Sequence, residues 1–364
     1  MKRIFNILLL AIIMAFSAAD LFAQGESAVP FLLIAPGARP GGMGEAGVAL
    51  ANDATAIYWN PAGLAFQHEN PETDPRGEAS LMHVKWLPQF NFSDLWYDYL
   101  AARYYVDDIG MIGASVTFLN LGENHATDEN GNDLGTFDSK EYAISLAYGT
   151  KLKDNLGIGV NLKFIKSDLT DKNIQVGAEN RDGRSSSFAV DLGLKWIPAY
   201  EFLNNRLSVG LNLSNFGPKM TYIDEDQADP LPTNLRLGFA YNLVDDEFNK
   251  ITIVYDMNKL LVVRNETESD NVFKAVFYSA WTEGSFSDRV RKIQHSIGAE
   301  YWYGDLIALR AGYFYEDSKF GGRKFITFGA GLKYYIFGID FGYISASEEH
   351  PLSDTMRFSI LIEF

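Results

Sequence analysis

Cysteine is absent from all 364 residues. A disulfide framework, a thiolate metal site and a lipid-modified cysteine are therefore excluded. Histidine is scarce: His68, His83, His125, His295 and His350 are scattered along the chain. Zinc-ligand spacing, a phosphate loop and a Ser/His/Asp ordering are all missing. His295 and Ser296 are adjacent, and neighbours on a strand point to opposite sides, so they do not make a nucleophile–base pair. These absences argue against an enzyme and against a bound cofactor. Positive charge is also in deficit, with 31 Lys and Arg against 47 Asp and Glu and a net charge of −16. That excludes nucleic acid as a partner, because nucleic acid needs a basic face. Past residue 23 no run of about 18 or more apolar residues occurs, so spanning helices are excluded too.

What the chain does contain begins with an export signal. Lys2 and Arg3 precede an apolar stretch over 4–16, and small residues lead to a cleavage site after Ala23. Aromatics make up 14% of the chain, with 26 Phe and 19 Tyr, yet mean hydropathy is close to zero. Lipid-facing residues alternating with polar lumen-facing ones give this composition. The alternation is explicit. Phe188, Val190, Leu192, Leu194 and Trp196 interleave with Ala189, Asp191, Gly193 and Lys195, and Leu235, Leu237 and Phe239 with Arg236, Gly238 and Ala240. Period two with one apolar face is the strand pattern. The apolar face belongs against lipid, so Asp191, Arg236, Glu300, Arg310 and Asp340 fall in the lumen and need partners there.

Counting such runs gives about fourteen strands, an even number as bacterial barrels require. Tight connections at Asp107–Asp108, Lys153–Asp154, Gly304 and Phe337 alternate with longer ones. Short periplasmic turns and long external loops give this rhythm. The final strand alternates Met356, Phe358, Ile360, Ile362 and Phe364 with Arg357, Ser359, Leu361 and Glu363. Ending on phenylalanine resembles the signature of outer-membrane assembly substrates. The fold class is all-β: an antiparallel transmembrane β-barrel of about 14 strands with an N-terminal helical plug in its lumen. The domains are a signal peptide at 1–23, the plug segment at 24–76 and the barrel at 77–364.

The plug assignment rests on 29–66. This stretch is rich in glycine and alanine, breaks at proline and does not alternate. A short helix is expected over 46–51, and a second turn, capped by Asp53 or Thr55, running to Trp59. Asn60 before Pro61 stops that turn. The plug residues singled out are Pro30, Phe31, Trp59, Asn60, Pro61 and Leu64. Asn52-Asp53-Ala54-Thr55 followed by Trp59-Asn60-Pro61-Ala62-Gly63-Leu64 resembles the N-terminus of FadL-like outer-membrane barrels. The run from Ala28 to Pro36, with Gly41-Gly42-Met43-Gly44 after it, is similar to the PorV/PorQ family of type IX secretion system outer-membrane proteins. At Gly37-Ala38-Arg39-Pro40 the chain departs from that pattern.

The resemblance implies a barrel in the outer membrane, among its lipid and lipopolysaccharide. It would receive cargo by the C-terminal signal domain at the type IX translocon barrel and pass it to the sortase and attachment complex on the cell surface. Its FadL-like side implies the alternative, a channel for hydrophobic compounds. A third reading, a structural or lipid A-modifying barrel, is disfavoured by the missing serine–histidine pair. External loops are the expected place for partner binding. The loop over 217–231 carries Met220 and Tyr222. The long loop over 259–289 carries Leu260, Leu261 and Val262, then Phe273, Phe277 and Trp281 at helical spacing. An apolar loop outside the membrane covers or binds something. The acidic run at 128–133 lacks the twelve-residue calcium-loop spacing and reads as a solvated loop.

Overall fold

The computed structural model describes residues 27–90, 94–127, 133–170, 183–222, 228–264, 269–348 and 350–364. The export signal and most of the acidic run at 128–133 lie outside these. The strands are β1 (Gly77–Lys85), β2 (Trp96–Val106), β3 (Gly110–Thr127), β4 (Asp133–Lys153), β5 (Leu156–Asp168), β6 (Arg184–Trp196) and β7 (Leu207–Phe216). They continue with β8 (Asn234–Asp245), β9 (Asn249–Leu260), β10 (Gln294–Tyr303), β11 (Ile307–Tyr315), β12 (Lys324–Tyr334), β13 (Phe337–Ser345) and β14 (Met356–Glu363). Each pairs antiparallel with its sequence neighbours, and β14 returns to β1 from Glu78 opposite Glu363 to Val84 opposite Arg357. Closure leaves no free sheet edge, as the all-β barrel reading requires.

Alternation sets the facing. Leu192 is half exposed on the outside while its neighbour Asp191 is fully buried in the lumen. Met356, Phe358 and Ile360 face out and Arg357 faces in. Arginine in place of Leu192 is expected to destabilise by about 2–3 kcal/mol, because a guanidinium would have to enter hydrocarbon. The check is the denaturant midpoint in lipid vesicles, together with heat-modifiable migration on gels. An unchanged midpoint would place Leu192 off the lipid face.

Two expectations need correction. Alternation places the third strand at 109–120 and the fourth at 137–152, but neither stops short of the polar stretch at 123–127. Their ladder continues through Glu123 opposite Asp138 to Thr127 opposite Asp133, past an irregularity at Asn120 and Gly122. Apolar alternation marks only the part in lipid; beyond it both faces meet water while backbone pairing persists. The second correction is in the plug. Residues 46–51 are not a helix; helices form at Ala38–Gly41 and Ala56–Trp59, with 3-10 turns at Pro30–Leu33 and Pro61–Phe66. The barrel wall supplies the hydrogen-bond partners that a helix over 46–51 would otherwise have provided.

The two long loops fold in opposite directions. The β7–β8 loop turns inward: Met220 and Leu231 are buried with Ala28, Val29 and Ile165, and Ala28 N–H donates to the Pro230 carbonyl at 2.9 Å. The β9–β10 loop turns outward, onto the outer surface of its own barrel. Leu261, Val263, Val276 and Ala280 form a cluster against Leu213, Phe216 and Leu235, which lie on β7 and β8. A salt bridge from Lys319 Nζ to Asp288 Oδ1, 2.9 Å, ties this loop to the β11–β12 loop. The Lys319 ammonium, with the Ser285 hydroxyl, holds the Asp288 carboxyl down at about 2.

Candidate functional site

The lumen is where the sequence departs most from plain alternation, and glycine shows why. Lumen-facing positions on β4–β7, β10 and β11 are occupied by Gly149, Gly159, Gly193, Gly210, Gly298 and Gly312. A Cβ at Gly159 would stand 2.2 Å from the Pro61 carbonyl carbon, and one at Gly312 would stand 2.1 Å from the Gly44 nitrogen. The wall is thus cut back to bare backbone where the plug presses on it. Gly44 itself adopts a φ of +69°, open to glycine at little cost.

Short helical turns leave many backbone groups without partners, and burial makes each one costly. Wall side chains supply them. The Asp256 carboxylate accepts from Gly47 N–H at 2.7 Å and Val48 N–H at 3.0 Å. Lys195 Nζ donates to the Leu50 carbonyl at 2.6 Å, and Asn212 Nδ2 to the Trp59 carbonyl at 2.9 Å. Thr327 Oγ1 accepts from Gly44 N–H at 2.7 Å. Asn60 bridges plug and wall by donating to the Val48 and Leu194 carbonyls, while its Oδ1 accepts from Ala62 N–H and starts the Pro61–Phe66 turn.

The lumen charges find their partners here. Arg39 meets Glu300 with two hydrogen bonds of 2.8 and 2.7 Å, and also reaches Asp53 at 3.1 Å. Arg310 donates to Glu300 at 2.6 Å and to Asp340 at 2.6 Å. Glu45 pairs with Arg357 at 2.5 Å, and Asp191 with Lys163 at 2.7 Å. Arg39, with two hydrogen bonds to Glu300, is the plug's strongest ionic tie to the wall.

Hollows remain on either side of the plug. On the periplasmic side of the plug a space of about 330 Å³ is lined by Arg39, Asp53, Glu78, Trp302, Asp305 and Asp340. On the extracellular side a cup of about 500 Å³ is lined by Tyr58, Trp59, Arg236, Asn258, Glu316 and Arg323. They share no lining residue, and Met43, Ala46 and Val48 are fully buried in the plug. Arg236 is the unusual group in the cup. It is buried; its Nη2 donates to the Tyr58 hydroxyl at 2.8 Å, and its guanidinium lies 4.6 Å from the Tyr58 ring and 5.4 Å from the Trp59 ring. Nη1 is buried without a hydrogen-bond acceptor among the described residues, as is the Asn258 Oδ1 without a donor. By contrast Arg323 is paired with Glu316 at 2.8 Å. A buried cation with a spare donor beside an aromatic floor suits an anionic group of a ligand.

Of the residues expected in the plug, Phe31, Trp59, Asn60, Pro61 and Leu64 are buried, while Pro30 is exposed at the lip of the cup. The expected loop set is divided. Leu260 is the last residue of β9 and lines the cup. Met220 is buried in the lumen core, with Tyr222 packed against it, while Leu261 is buried in the cluster on the outside of β7 and β8 and Val262 is buried too, so these are not free to dock a partner. Phe273, Phe277 and Trp281 are exposed, on the outside of the barrel and away from the cup. Tyr58, Asn258, Glu316 and Arg323 carry no local signal that would single them out. Period two places Asn258 in the lumen, but only the register between strands brings it beside Arg236.

Residues 23–267 match a family model described as type IX secretion system protein PorV. Among solved structures the chain is similar to the Pseudomonas putida toluene transporter TodX, with 13% identity and a TM-score of 0.50 over 94% of this chain and 97% of that one. It is similar also to a Pseudomonas aeruginosa FadL homologue, with 12% identity and a TM-score of 0.50 over 90% of this chain and 98% of that one. At such identity the likeness is one of fold. No curated protein matches the chain.

Proposed function

The chain belongs to the PorV family of type IX secretion system proteins, and from that premise we propose that it is a docking barrel and neither a pore nor an enzyme. It receives exported cargo by the C-terminal signal domain at the translocon barrel and delivers it to the sortase and attachment complex. The observation that carries the reading is the cup: open outward, floored by Tyr58 and Trp59, with one buried guanidinium whose Nη1 is unspent. Cargo rests on the extracellular rim and places an anionic group against Arg236. A FadL-like channel for hydrophobic compounds would need a path past the plug, and the cup shares no lining residue with the hollows on the other side of the plug, which weighs against it.

Arg236→Met keeps the stem that packs on Tyr58 and removes the donor. Binding of a purified cargo signal domain to the full-length barrel in lipid nanodiscs is expected to weaken about tenfold or more, the value of one charge-assisted hydrogen bond. Gel migration of the barrel should be unchanged. Unaltered cargo binding, together with loss of hydrophobic-compound uptake on deletion of the protein, would replace docking with the channel reading.

A further inference from the structure

Aromatic residues are scattered over the outer face of the barrel toward its extracellular end: Trp96 on β2, Phe164 on β5, Phe188 on β6, Tyr315 on β11, Phe341 on β13 and Phe358 on β14. On β8 and β9 the outward residues next to the long loops are Leu235, Leu237, Met257 and Lys259, with Phe239 and Tyr255 deeper. Outward aromatics normally mark the level where acyl chains meet headgroups.

The β9–β10 loop lies over the outer face of β7 and β8 at this end. Its consecutive helical turns Val272–Lys274, Ala275–Ser279 and Ala280–Thr282 press Val276 and Ala280 onto Leu213, Phe216 and Leu235. Phe273 meets Phe216 edge-on with ring centres 5.1 Å apart. Lys259 at the end of β9 is covered: its Nζ donates to the Arg289 carbonyl at 3.0 Å and stands 5.2 Å from the Trp281 ring. Phe277 and Tyr278, 74% and 62% exposed, turn away from the wall, with Phe273 and Trp281 exposed at the edges of the packed face. In water such a ridge would be a liability. At the headgroup level the same residues are favoured, since Tyr and Trp keep a polar tip wet while the ring is buried.

The basic residues beside the ridge are largely paired, Lys274 with Asp270, Arg291 with Asp317 and Lys292 with Glu283, so it is the exposed aromatics that suit a surface of acyl chains and headgroups. We propose that the helix over 272–282 is an interfacial anchor on the outer face of β7 and β8, sinking Phe273, Phe277 and Trp281 into the headgroup region of the outer leaflet. This role is independent of how cargo is held.

The absence of native cysteine makes an introduced thiol unique. An environment-sensitive fluorophore on Phe277→Cys would be measured in the full-length protein, in vesicles of phosphatidylcholine and lipopolysaccharide. Nitroxide-labelled lipid should quench it as strongly as a label on Leu192→Cys in the barrel wall, and aqueous iodide should fail to quench it. A label on Ser318→Cys, in the β11–β12 loop, should behave the opposite way. Quenching at position 277 by iodide with no effect of nitroxide lipid would overturn the proposal. Shielding that arises only on adding a second protein would overturn it also, and would make the ridge a protein-docking face.

Discussion

Replacing Glu300 with glutamine is expected to cost about 3–5 kcal/mol and to loosen the plug. Glu300 is buried and takes three charge-assisted hydrogen bonds, two from Arg39 of the plug and one from Arg310 of the wall. Glutamine keeps the volume but removes the charge, leaving two guanidiniums in a water-poor space. Each retains one carboxylate, Asp53 for Arg39 and Asp340 for Arg310, which sets the expected loss nearer the lower figure. The measurement is the unfolding midpoint in detergent or lipid, combined with an Arg39→Met double-mutant cycle. If Glu300 acts by holding Arg39, the double variant should lose little more than Glu300→Gln alone. Full additivity of the two losses would show that Arg39 is held by something else.

Leucine at Gly312 is expected to open the lumen. A Cβ there stands 2.1 Å from Gly44 N and 2.2 Å from the Met43 carbonyl carbon, so the clash is with backbone that no rotamer change relieves. Overpacking a core ordinarily costs about 1–3 kcal/mol because side chains yield. Here the wall is fixed by ladders to β10 and β12, so the plug must be displaced. In planar bilayers the native barrel should stay closed and Gly312→Leu should conduct steadily. Gly338→Leu is the control: its Cβ would meet nothing nearer than Leu361 at 3.4 Å, an ordinary contact. A closed Gly312→Leu barrel would mean that the plug seats elsewhere than on this glycine.

The expected partner surface was legible only in part. Arg236 was identifiable as a lumen charge, and Leu260, Pro30 and Trp59 were in view, yet nothing local joined them into one cup. Arg236 and Asn258 face each other because β8 and β9 pair at that register. Tyr58 reaches Arg236 across 178 positions of sequence. The exposed aromatics of the β9–β10 loop were visible as a helical pattern. Their direction was not, because apolar spacing reports that a face is covered and not by what.

The sequence by itself determined the strand number, the closed antiparallel order and the lipid and lumen faces. Each follows from a local rule, the two-residue period and the alternation of short and long connections, which the chain carries in every segment. Only the tertiary structure decided the path of the plug, the partners of the buried charges and the opposite directions of the two long loops. Those depend on contacts between residues such as Glu45 and Arg357, 312 positions apart. A contact of that kind leaves no period in the sequence, because the groups that satisfy one another are set by barrel closure and strand register, and neither is a property of a short segment.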